Sequence, residues 1–186
     1  MGTPEFALPA LERLVSGGHE VLAVYTQPDK PAGRGRGLVS SAVKKAALDY
    51  GLPVWQPPSL RQPEERERLA SLRPEVIIVA AFGLLLPQNI LDIPPLGCLN
   101  IHPSLLPRHR GPSPVAAAIL AGDEITGVSI MLLDKGMDTG PLLAQQEVTI
   151  LPKDTTGSLT AKLAQLGGNL LMQTLPLWLE GKLTPQ

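Results

Sequence analysis

Apolar residues in this chain come in short blocks whose spacing switches between the helical and the strand period, with Pro and Gly at the joints. Over residues 4–16, Phe6, Leu8, Leu11, Leu14 and Val15 recur near helical spacing. Thr3 is placed as N-cap, Pro4 sits at the first position, and Gly17 and Gly18 close the end. VLAVYT (21–26) predicts a short strand. The next segment, QPDKPAGRGRGLV (27–39), holds two prolines and three glycines and predicts a loop. Ser40 or Ser41 then caps a helix that runs through Tyr50 and stops at Gly51. A brief strand at 53–56 precedes a charged helix at 63–72, PEERERLASL.

EVIIVAA (75–81) is apolar on both alternations, as expected of a strand covered on both faces in a parallel sheet. GCLNIHP (97–103) is the next strand, followed by a Pro-rich loop and a helix over 114–121. TGVSIMLLD (126–134) and a segment near 142–150 are further strands, and a long helix spans roughly 156–180. Strands alternating with helices predict an α/β fold with a mainly parallel sheet. The chain opens on a turn and a helix, where a buried strand usually feeds that helix, so a first strand is expected to be missing.

Chemistry gathers at two predicted strand ends. In NIHPSLLP (100–107), period-2 alternation puts Asn100 and His102 on one face and turns Ile101 the other way. Open α/β sheets bind ligands at the carboxyl ends of their strands. An amide able to donate to an oxyanion stands there beside an imidazole able to move a proton. The bland alternative is a polar strand end with a solvent-facing histidine. The second element is DKGMDTGP (134–141), where Asp138 would orient an imidazole or, alternatively, only cap its own turn.

Composition and charge narrow the rest. The 186 residues suit one domain; 44% are hydrophobic and 18% charged, enough for a core and too few charges for a disordered chain. Net charge is −1 and mean hydropathy +0.12, so any polyanionic partner must meet a local patch. The 27–45 segment supplies one: Lys30, Arg34, Arg36, Lys44 and Lys45 against Asp29. Arg108, His109 and Arg110 form a second basic cluster beside the proposed site, which favours an anionic substrate. GRGRG lacks the spacing of a phosphate loop, and three histidines with one cysteine, none at ligand spacing, argue against a metal site. The single Cys98 excludes an internal disulfide, reads as a core thiol and fits a reducing compartment. No apolar run approaches the ~20 residues of a membrane span.

On these residues the chain resembles the 10-formyltetrahydrofolate-dependent formyltransferase family, in its tRNA-directed branch. GTPEFA (2–7), TQPDKPAGRGR (26–36), AAFGLLLP (80–87), NIHPSLLPRHRGPSP (100–114) and DKGMDTGPLL (134–143) carry the resemblance in order, nearly end to end. It implies a Rossmann-like sheet flanked by helices and one catalytic domain over 1–182. By the same resemblance, the family's first strand and its C-terminal tRNA-binding, barrel-like domain are expected to be missing here. It implies transfer of a formyl group to the amino group of methionyl-tRNA, the initiator species, with 10-formyltetrahydrofolate as donor and no metal. Asn100, His102 and Asp138 would be catalytic. Leu84, Leu85, Leu86, Ser104, Leu105, Leu106, Pro107 and Asp134 would border the folate, and Lys30, Arg34 and Arg36 the tRNA. A monomer in the bacterial cytoplasm, or in an organelle, is expected, with no membrane partner. Two alternatives remain open at this point: a small amine as acceptor, or a non-catalytic folate- or RNA-binding remnant.

Overall fold

The computed structural model describes residues 1–32 and 37–186. Its helices are α1 (Leu8–Ser16), α2 (Ala42–Asp49), α3 (Pro63–Ser71), α4 (Gln88–Leu91), α5 (Pro114–Leu120) and α6 (Thr156–Leu179). Its strands are β1 (Val24–Tyr25), β2 (Lys30–Ala32), β3 (Gly37–Val39), β4 (Val54–Trp55), β5 (Ile77–Val79), β6 (Cys98–His102), β7 (Ile125–Leu132) and β8 (Leu142–Thr149). β5 and β6 are parallel, and so are β1 and β4; β6–β7 and β7–β8 are antiparallel, in the order β5-β6-β7-β8. Met1 and Gly2 join the two halves: Gly2 N donates to Tyr25 O at 3.0 Å, and Ala80 N donates to Met1 O at 2.9 Å.

The helix-flanked α/β reading, with parallel strands at its centre, holds. In finer detail the sheet is mixed, because the 22 residues between β6 and β7 return the chain to an adjacent antiparallel lane. The 27–39 loop contains a short antiparallel pair, β2 with β3. The capping role of Thr3 is corrected: a one-turn 3-10 helix (Glu5–Ala7) precedes α1, and Thr3 Oγ1 instead donates to Phe82 O at 2.8 Å. Ser41 does cap α2, its side chain accepting from Lys44 N at 3.0 Å.

Two apolar layers cover the sheet. Leu99, Ile101, Val128 and Ile130 face Leu159, Leu163 and Leu171 of α6 together with Leu11 of α1. On the opposite face Ile77, Val79 and Cys98 pack with Leu69, Phe82, Ile90 and Leu91. Burial pushes the Cys98 thiol up to about 12, which keeps it a protonated core group. At Gly167 a Cβ would meet Ile101 Cγ2 at 2.6 Å, so the missing side chain lets α6 lie directly on β6. Among the described residues no helix is long and apolar enough to cross a membrane.

Between β1 and β5 lies a cavity of about 450 Å³ lined by Leu11, Leu14, Val24, Val76, Ile78 and Leu175 among others. The Met1 ammonium donates into it, to Ile78 O at 2.6 Å, and burial lowers that amine to about 5 from its ordinary 8.0. Between those values the unfolded chain holds a proton that the folded chain has released. Unfolding free energy should therefore rise with pH from about 5 to about 8, by at most ~1.4 kcal/mol per pH unit. Urea titrations across that window check this, and Nα-acetylation should remove the slope.

Candidate active site

β6 presents the candidate side chains together because its pleat sorts them. Leu99 and Ile101 point into the layer under α6, leaving Asn100 and His102 on the other face with Cys98. Asn100 lies between Val79 of β5 and Met131 of β7, and His102 lies opposite Ser129. His102 is only 4% exposed. Its Nε2 lies 3.1 Å from His109 O, and its Nδ1 lies 3.6 Å from Asp138 Oδ2. A carbonyl only accepts, so Nε2 carries a hydrogen and Nδ1 is the nitrogen turned toward the carboxylate. Asn100 is half-buried, and its amide makes no hydrogen bond among the described residues.

Asp138 reaches this point by a tight excursion after β7. Asp134 Oδ1 accepts from Gly136 N at 2.9 Å and from Thr139 Oγ1 at 2.8 Å, which closes the turn. Gly140 then passes so near β7 that a Cβ would lie 1.9 Å from Leu132 O, a path only glycine can take. Asp138 itself has φ +51, and its Oδ2 accepts from Gly111 N at 2.8 Å. The carboxylate is thus aimed at Gly111 and the His102 ring instead of capping its own turn.

A buried polar network supports the 103–111 loop. Ser129 Oγ donates to Ser104 O at 2.6 Å and accepts from Leu106 N at 3.1 Å and Gln145 Nε2 at 2.8 Å. Ser104 Oγ donates to Arg108 O at 2.6 Å. Neither Ser129 nor Gln145 was singled out from sequence, although a lone Ser inside the apolar run VSIMLL is the signal that could have found the first.

The other sequence candidates are spread differently. Leu84 and Leu86 are half-buried against the second core layer, with Leu85 exposed. Leu105 is half-buried and Pro107 exposed, whereas Ser104 and Leu106 are buried and hold the loop rather than line its surface. The Asp134 carboxylate is taken up by its own turn. Lys30 is exposed on β2; Arg34 and Arg36 lie outside the described residues. The two basic clusters are less positive than their composition suggests. Lys44 Nζ sits 2.6 Å from Asp29 Oδ2. Arg108 and His109 are both paired with Asp123.

A family profile described as formyl transferase matches residues 1–175. The chain belongs to the formyl transferase family. It is 57% identical over 175 residues to a methionyl-tRNA formyltransferase of Dehalococcoides mccartyi, covering 94% of this chain and 56% of the relative. It is 54% identical over 186 residues to one of Chloroflexus aurantiacus, covering 100% of this chain and 60% of the relative. The chain thus spans less than two thirds of the length of these curated relatives. Among solved structures, a glycinamide ribonucleotide transformylase from Symbiobacterium toebii superposes with a TM-score of 0.80 at 22% identity, over 100% of this chain and 87% of the other. A phosphoribosylglycinamide formyltransferase from Streptococcus pneumoniae gives 0.77 at 19%, over 95% of this chain and 96% of the other. At such identities these two show the family's fold.

Among the described residues no group of three or more His, Cys, Asp or Glu side chains is placed to hold a metal ion. Replacing Ser129 by Ala would leave the buried Leu106 N–H without its acceptor and Ser104 O without its donor, while the exposed Gln145 amide keeps Leu106 O. Urea denaturation should register a loss of about 1–3 kcal/mol.

Proposed function

We propose that this chain transfers a formyl group from 10-formyltetrahydrofolate to the amino group of methionyl-tRNA. The observation that carries the reading is the convergence, at the end of β6, of an unpartnered amide, a buried imidazole and an inward-turned carboxylate within 3.6 Å of that ring. Acyl-type transfer needs this set: donors for an oxyanion and a group that takes the amine proton. The named relatives, more than half identical, favour methionyl-tRNA as acceptor.

The amine nitrogen attacks the formyl carbon, and a tetrahedral intermediate forms with a negative oxygen. Asn100 Nδ2 donates to that oxygen, and so does His102 Nδ1–H when the ring, already protonated on Nε2, holds a second proton. At 3.6 Å from Asp138, Nδ1 is beyond hydrogen-bond distance of the carboxylate and remains available to the substrate. Asp138, through an ordered water, accepts the amine proton and returns it to the folate nitrogen as the carbon–nitrogen bond breaks. The folate lies against the backbone of Leu84–Leu86 and the 134–138 turn, bordered by Leu105 and Pro107. Lys30, with Arg34 and Arg36, meets tRNA phosphates or bases. The bacterial cytoplasm and a monomeric state fit this role.

Formyl transfer to Met-tRNA, measured by mass or by a formyl-specific deacylation assay, should fall about 10²–10³-fold in Asn100→Ala and at least as far in His102→Ala and Asp138→Ala. Turnover on a small amine but not on charged tRNA would move the assignment to another acceptor. No turnover by a folded chain would leave a binding remnant. Affinity for tRNA should drop steeply with salt, by roughly one unit of slope per phosphate contacted; a flat response removes the 30–45 segment from recognition.

A further inference from the structure

Asp123 lies outside the strand ends that form the site, in the bend between α5 and β7. Its side chain is 9% exposed and gathers two neighbours from one distant turn. Arg108 Nε donates to Oδ2 at 2.9 Å while Arg108 Nη2 bonds Oδ1, and His109 Nε2 lies 2.6 Å from Oδ2. Hydrogen bonds from Arg108 and then from His109 hold this carboxyl well below the usual carboxylate range, so it stays charged wherever the protein is folded.

The turn it grips touches both reacting side chains. His109 O is the acceptor for His102 Nε2 at 3.1 Å, and Gly111 N is the donor to Asp138 Oδ2 at 2.8 Å. His109 has φ +54, a left-handed conformation that a residue with a Cβ adopts only when its surroundings impose it. The Ser104 hydroxyl on Arg108 O is one restraint; the Asp123 carboxylate on the His109 ring is the other. Without the second, nothing in the contacts of the His109 side chain directs its carbonyl at the imidazole.

We propose that Asp123 is a positioning residue for the formyl-transfer site: by holding Arg108 and His109 it aims the His109 carbonyl at His102 and the Gly111 amide at Asp138. It thereby sets the tautomer of one group and the direction of the other. The inference rests on the function proposed above, but its first readout does not need that function. In ¹⁵N spectra of the histidine rings, wild type should show His102 with Nε2 protonated, and Asp123→Ala should show a ring that exchanges between tautomers.

The second readout is kinetic. Asp123→Ala should lower kcat for formyl transfer by tenfold or more while KM for 10-formyltetrahydrofolate stays within twofold. Asp123→Asn, which keeps an oxygen for His109, should recover most of the loss, and it carries the test should the alanine variant not fold. Unchanged ring spectra with kcat within twofold of wild type overturn the proposal. A rise in KM matching the fall in kcat, with the ring spectra unchanged, also overturns it and marks the ion pair as structural only. If wild type itself transfers no formyl group, the functional reading fails, and the ring spectra still decide the role of Asp123.

Discussion

Everything this site can do depends on one buried imidazole held between two acceptors. His102 is almost sealed from water, with a backbone carbonyl on Nε2 and a carboxylate facing Nδ1. A ring so placed cannot choose its tautomer freely, because only a hydrogen on Nε2 satisfies the His109 carbonyl. The nitrogen left over is the one that faces Asp138. When that nitrogen carries a proton, the carboxylate stabilises the resulting charge without a close contact that would tie up the donor. Pre-set orientation of this kind lets an electrostatic site act without reorganising as the reaction proceeds.

Holding such a ring requires an unyielding floor, and the mixed sheet supplies it. β6 and β7 are paired through Leu99–His102, so the position of His102 is copied from Ser129 across the ladder. Ser129 in turn uses all its hydrogen-bonding capacity on the overlying loop and on Gln145. The loop that brings His109 and Gly111 over the ring is therefore joined to the same strand pair that carries the ring. Small displacements of sheet and loop are shared, which preserves the distances between them. The close seating of α6 at Gly167 keeps β6 from shifting the other way.

Charge is used economically around the site. Asp123 pairs with Arg108 and His109, and Asp29 with Lys44, so part of each basic cluster is internally neutralised. What reads in sequence as a strongly basic surface is in part a set of ion pairs that shape loops. Lys30, Lys45 and Arg110 remain exposed and without a carboxylate partner among the described residues. Any polyanion must therefore be met by a few specific side chains rather than by a broad positive field.

The alternation of apolar blocks was enough to place nearly every strand and helix and to turn Asn100 and His102 to one face, because pleat and helical period depend only on neighbours along the chain. The glycine spacing at 134–141 also marked a tight turn beyond β7 from sequence alone. What that spacing left open was the direction of Asp138, which depends on a left-handed φ and on an amide at Gly111, 27 residues away. The antiparallel return of β7, the hydroxyl of Thr3 bonded to Phe82, and the pairing of Asp123 with a turn 14 residues earlier were likewise invisible. Local pattern records which side of an element is buried. Which partner meets a polar group depends on distances between segments, and those exist only once the sheet has closed its register.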